Sequence, residues 1–153
     1  MAKNIRCAIA GLGRIGTALE KDALREKPSS HAGAIFHHVR TELTAGADPD
    51  RKARSEFRSD WGIKNLYADV SDMLTVEQPD ILHIASWTET HMDLLKIAVG
   101  MNVPVIICEK PLAESLDDAK RILQFCEKTS SQIVMNHERR FSDDYRSIRN
   151  YLK

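Results

Sequence analysis

Three glycines in six residues, Gly11-Leu12-Gly13-Arg14-Ile15-Gly16, have the spacing of a turn built for close approach. The apolar run Ile5 to Ala10 precedes them and predicts a strand. The stretch that follows places Ile15, Ala18, Leu19 and Ala23 on one face, which predicts a helix from about Gly13, ending before Pro28. That context gives an otherwise weak glycine pattern its meaning. Gly11 permits the tight turn, Gly13 lets the backbone approach a pyrophosphate, and Gly16 lets helix and strand pack closely. The helix start would offer free N–H groups and a positive dipole end to phosphates. A dinucleotide is therefore the expected ligand of Gly11, Leu12, Gly13, Arg14, Ile15 and Gly16.

Three further places carry candidate chemistry. Asp48, at the end of a second predicted strand, can accept hydrogen bonds from both hydroxyls of an adenosine ribose. It stands 37 residues (48 minus 11) beyond Gly11, where about 20 is usual. An insertion over residues 28–40 accounts for the excess. Asp48 favours NAD, with NADP admitted if Arg51 or Lys52 compensates for its charge; the lesser alternative is a helix cap before Pro49, and both roles can coexist. Ser86-Trp87-Thr88-Glu89-Thr90-His91 follows a predicted strand, where ligands of such sheets sit. His91 there is either a hydrogen-bond partner of cofactor or substrate, or a helix-start histidine. Glu109-Lys110-Pro111 follows the next strand. Lys110 could hydrogen-bond a substrate hydroxyl or favour its deprotonation as hydride leaves; the alternative is a solvated Glu-Lys pair in a loop.

The elements that must position these residues alternate as β and α. Strands are expected at Ile5–Ala10, Glu42–Ala47, Asn65–Tyr67, Ile81–Ala85, Val105–Cys108 and Gln132–Met135. Between them lie amphipathic stretches: a short helix at 32–38 inside the insertion, one through Ala53, Phe57 and Trp61 to Gly62, a turn from Ser71, and one carrying Met92, Leu95 and Val99. A helix capped by Ser115 and Asp118 turns Ala119, Ile122, Leu123 and Cys126 inward, and a last helix carries Tyr145, Ile148 and Leu152. This is the alternation of a doubly wound parallel sheet with strand order 3-2-1-4-5-6 and helices on both faces.

Composition bounds the rest. The 153 residues suit one well-buried domain. With 22 basic and 22 acidic residues the net charge is zero, which argues against a dedicated nucleic-acid or anionic-membrane surface. Arg139, Arg140, Arg146 and Arg149 interleave with Asp143 and Asp144 and read as a mixed helix face with at most one working arginine. Cys7, Cys108 and Cys126 form neither a disulfide framework nor a zinc pattern, and His37-His38 is a poor metal pair, so no metal is expected. No apolar run approaches a membrane span and no secretory signal opens the chain, so a cytoplasmic location is expected.

These pieces together resemble the glucose–fructose oxidoreductase and inositol dehydrogenase family. The matching segments come in order: Gly11 to Gly16, Gly46 to Arg51, Trp61-Gly62-Ile63, Ser86 to His91, Cys108-Glu109-Lys110-Pro111-Leu112-Ala113 and Asn136-His137-Glu138-Arg139-Arg140-Phe141. The Glu-Lys-Pro element is the most specific of them. The resemblance implies a dinucleotide-binding Rossmann domain over 1–138, with 139–153 beginning a connection to a substrate domain outside this chain. It implies that Gly11 to Gly16 and Asp48 bind the dinucleotide, and that residues 86–91 and Glu109 flank its ribose and nicotinamide. Lys110 would reach both cofactor and substrate and serve as the catalytic residue, with Asn136 and Arg139 or Arg140 near the nicotinamide. The expected activity is hydride transfer between NAD (or NADP) and a sugar, inositol or similar polyol, with the full-length protein a homo-oligomer and this chain alone without turnover. A dinucleotide sensor or corepressor on the same fold is the alternative. Trp87 stands where the family commonly has proline.

Overall fold

The computed structural model describes residues 4–152. Six strands, β1 (Ile5–Ala10), β2 (Thr41–Ala47), β3 (Asn65–Tyr67), β4 (Ile81–Ile84), β5 (Val105–Glu109) and β6 (Gln132–Asn136), form one sheet in the order β3-β2-β1-β4-β5-β6. Every pairing is parallel, as the sequence pattern predicts for a doubly wound sheet. Side chains alternate across a strand, and the alternation divides the core in two. Ala8 and Ala10 of β1, Leu82 and Ile84 of β4, and Ile106 and Cys108 of β5 pack on one face. Against them lie α3 (Val70–Glu77), α4 (His91–Gly100) and α5 (Leu116–Cys126). Cys7 and Ile9 face the other way, onto Ile35 of α1 (His31–His37) and Phe57 of α2 (Arg51–Trp61). Burial pushes the thiol of Cys7 up to about 11 and that of Cys108 up to about 12, so both behave as small apolar groups.

The caps follow the local chemistry. Asp50 accepts from the Lys52 amide to start α2, and Gly62, with φ of 70°, closes it in the left-handed conformation. Ser115 accepts from the Asp118 amide to start α5. Leu123, expected on the inner face of α5, is instead 56% exposed; Ile122 alone of that helix is fully buried. The last helix, α6 (Asp143–Tyr151), leaves Tyr145 and Ile148 exposed, with Leu152 just beyond it also outside. Among the described residues, no helix is long and apolar enough to cross a membrane.

One element departs from expectation. No α-helix begins at Gly13: the chain bends there and residues 14–17 form turns, followed by a single 3-10 turn at Ala18–Lys21. The reason lies in the hydrogen bonds. An α-helix would give the carbonyls of Ile15 and Gly16 to the amides of Leu19 and Glu20. Those carbonyls accept instead from His31 N (3.1 Å) and Ala32 N (2.9 Å), the first amides of α1. The helix that packs on β1 is therefore α1, close to the short helix expected at 32–38, and the irregular chain lies before it rather than around it.

Candidate functional site

The glycine turn is pinned from three sides. Gly11 has φ of 94°, and a Cβ there would stand 2.7 Å from the backbone of Ala85 and Ser86, so only glycine fits between β1 and the end of β4. A Cβ on Gly16 would run into the Gly11 carbonyl oxygen. Thr17 Oγ1 donates to the Leu12 carbonyl at 2.9 Å, and Asp48 accepts from the Leu12 amide at 2.8 Å. Gly13 differs: a Cβ there would meet nothing within 4 Å. Among the described residues, the amides of Gly13, Arg14, Ile15 and Gly16 have no protein acceptor. Unpaired N–H groups beside open space are groups that an anion could satisfy. They replace the helix dipole that the sequence led us to expect.

Asp48 lies just past β2, half-buried, with its second oxygen accepting from the Asp50 amide at 2.8 Å. Arg54 donates to the Asp48 carbonyl at 2.6 Å, holding the turn from beneath. The helix cap is Asp50 rather than Asp48; the Asp48 carboxylate instead closes the turn before α2 and ties it to the glycine loop. Arg51 is exposed on the first turn of α2.

Past β4, Ser86 and Thr90 share a hydroxyl hydrogen bond of 2.6 Å, and Thr90 Oγ1 donates to the Trp87 carbonyl at 2.8 Å. This fixes the loop while leaving the Trp87 ring 80% exposed; Thr88 begins a 3-10 turn beside it. His91, expected among the cofactor contacts, is fully buried. Its ring nitrogens face the carbonyls of Pro111 (3.0 Å) and Ser86 (3.3 Å), so it braces the two loops against each other.

At the end of β5 the alternation turns Glu109 inward and leaves Lys110 exposed. Glu109 Oε1 receives both His31 Nε2 (2.9 Å) and the Asn136 amide at the end of β6. Its other oxygen, Oε2, has no partner among the described residues and is not closed off from solvent. Burial alone would raise the Glu109 carboxyl; the bonds from His31 and Asn136, with the charges of His31 and Lys110, outweigh it and hold the pKa below the ordinary value. His31 Nδ1 lies 2.9 Å from His83 Nδ1, and burial, reinforced by His31, pushes His83 down to about 3, so its ring is neutral. Arg139 sits beyond β6, exposed, with its guanidinium 3.2 Å from the Tyr145 hydroxyl and over its ring.

The structure thus brings the glycine turn, Asp48, the 86–88 loop, Glu109, Lys110 and Asn136 to the carboxyl ends of β1, β2, β4, β5 and β6. β1 and β4 are where the strand order reverses, the place where open α/β sheets bind ligands. His31 and His83 were missed by sequence reasoning. The available signal was parity: His83 alternates with the buried Leu82 and Ile84, which puts it on the α1 face with Glu109.

Residues 5–137 match the family described as "Oxidoreductase family, NAD-binding Rossmann fold". The D-apiose dehydrogenase of Paraburkholderia graminis is 29% identical over 112 residues, covering 73% of this chain and 30% of that protein. The myo-inositol 2-dehydrogenase of Thermotoga maritima is 26% identical over 145 residues, covering 95% of this chain and 40% of its own length. In fold, the chain is similar to scyllo-inositol dehydrogenase from Lactobacillus casei, solved with bound NAD(H) and scyllo-inositol. The TM-score is 0.81 at 22% identity, over 98% of this chain and 41% of that one. The chain therefore spans well under half the length of these relatives.

Proposed function

The chain belongs to the oxidoreductase family built on an NAD-binding Rossmann fold, and from that premise we propose that it is the cofactor-binding part of an enzyme moving hydride between a nicotinamide and a CH–OH carbon of a sugar, inositol or similar polyol. The observation that carries this reading is the row of unpaired amides at Gly13 to Gly16, open to ligand beside Asp48, with Lys110 on the same edge of the sheet. Unpaired N–H groups suit two phosphates and a fixed carboxylate suits ribose hydroxyls, so the residues present fit a dinucleotide. Bound there, the nicotinamide would supply the hydride acceptor or donor.

The chain's own residues divide the work. Gly11 to Gly16, with Leu12, Arg14 and Ile15 between the glycines, hold the pyrophosphate through main-chain N–H groups. Asp48 accepts from the adenosine ribose, with Arg51 at its rim. Ser86, Trp87 and Thr88 flank the middle of the cofactor, with His91 holding that loop against Pro111. Glu109 Oε2, Asn136 and Arg139 attend the nicotinamide end. Lys110 hydrogen-bonds the substrate hydroxyl oxygen and favours loss of its proton to a base or solvent, while the carbon gives up hydride to the nicotinamide and the carbonyl forms. Residues 1–138 form this domain and 139–153 lead from it towards the polyol-binding part of a longer, cytoplasmic, homo-oligomeric protein. The chain alone binds cofactor without turning over substrate, because it spans 40% of the related myo-inositol dehydrogenase and the part that orients a polyol opposite Lys110 would lie in the remainder.

NAD is the preferred cofactor. Both Asp48 oxygens are tied to amides, of Leu12 and Asp50, so the charge cannot swing aside for the extra phosphate of NADP. Calorimetry with NAD+ and NADP+ tests this. NAD+ should bind more tightly, and Asp48→Asn, which removes the charge and one of the two amide acceptors, should narrow the gap by about tenfold, the scale of a hydrogen bond to a charged group. Tighter NADP+ binding would remove Asp48 from its role; binding of neither would remove the whole reading.

A further inference from the structure

We propose that His31 is a positioning residue for the nicotinamide end of the site: its imidazole holds Glu109, and through Glu109 also Asn136, in the arrangement that receives the cofactor. The inference rests on the cofactor reading above and adds a residue that sequence reasoning did not single out.

The argument starts from strand parity. Glu109 and Asn136 are register partners at the ends of β5 and β6, and His83 lies on the same face of β4. His31, the first residue of α1, meets that face with a ring only 6% exposed. His31 Nε2 and Asn136 Nδ2 both donate to a single oxygen, Glu109 Oε1. Two donors on one oxygen fix the carboxylate's rotamer and leave Oε2 for a ligand. His83, behind His31, fixes the plane of the His31 ring.

The main chain of His31 does a second job. Its amide donates to the Ile15 carbonyl, inside the glycine turn, at 3.1 Å. One residue thus ties the turn that would hold the pyrophosphate to the strand end that would hold the nicotinamide. Replacing the ring leaves the first tie intact and cuts the second. Without the His31 donor, Glu109 loses one of the bonds that offset its burial and keeps only that from Asn136.

Two ligands separate positioning from mere folding. NAD+ reaches both halves of the site, whereas ADP-ribose lacks the nicotinamide. Calorimetry with both is run on the full chain as it stands and on His31→Ala and His31→Gln, with thermal melts as a check on folding. The unmodified chain should prefer NAD+. His31→Ala should weaken NAD+ by about tenfold or more, as expected for loss of a bond to a charged group, while ADP-ribose stays within about twofold. His31→Gln, which still carries an amide donor for Glu109, should recover most of the loss. Should His31→Ala not fold, His31→Leu, which fills the space without donating, takes its place, and the same selective loss of NAD+ is expected of it. Equal losses for both ligands, no loss for either, or an unmodified chain that does not distinguish them would each overturn the proposal while leaving dinucleotide binding intact. An unmodified chain that binds neither ligand would overturn the cofactor reading and this proposal with it.

Discussion

A Cβ on Gly13 would enter open space, whereas one on Gly16 would collide with the Gly11 carbonyl, so two glycines three residues apart serve different ends. Gly16 is needed for the turn to close; Gly13 is needed only if something else must come close. Gly13→Ala should therefore leave stability within about 1 kcal/mol of the parent and yet weaken NAD+ by on the order of tenfold, the scale of a lost bond to a charged group. Gly16→Ala should destabilise by about 1–3 kcal/mol through overpacking. Urea titrations and calorimetry on the two variants decide it, and a Gly13→Ala chain that binds NAD+ like the parent would deny the close approach. Asp48 is held in the same way, with both oxygens fixed by the amides of Leu12 and Asp50.

The coupling of α1 to β4 and β5 runs through buried imidazoles, and that gives the fold a measurable dependence on pH. His83 is held neutral down to about pH 3 by burial and by His31, while an unfolded chain would protonate it near 6.5. Between those values the unfolded state binds the extra proton, so stability falls as pH falls through this window and is unaffected by His83 above it. Glu109 pulls the same way, but only below its unfolded value of about 4.5, because its folded pKa is depressed. From pH 6 to 5 the unfolding free energy of the parent should drop by about 1.2 kcal/mol more than that of His83→Gln. Parallel curves would show that His83 is not the buried neutral group described. The strands and α2 to α6 were legible from apolar periodicity and caps. The helix after the glycine turn was not, because its carbonyls are taken by amides of α1 lying 16 residues away (31 minus 15), which no local pattern records. His91 shows the same limit: its position at a helix start was readable, but its burial between two loops depends on the chain near Pro111. Glu109 and Lys110 were readable as a pair, and strand parity alone separates their roles, one inward and one outward.

At the scale of the molecule, six parallel strands gather residues from five separate stretches of chain along one edge of the sheet. The opposite edge carries Gln78 and Asn102, at the ends of α3 and α4, next to the starts of β4 and β5. The central claim is that the carboxyl edge binds a nicotinamide dinucleotide along its length. Amide chemical-shift mapping during titration of the chain with NAD+ tests it most directly. Shifts should concentrate at Gly13, Arg14, Ile15 and Gly16 and extend to Lys110 and Asn136, while Gln78 and Asn102 stay in place. Shifts confined to the opposite edge, or none at the glycine turn at saturating NAD+, would contradict the account.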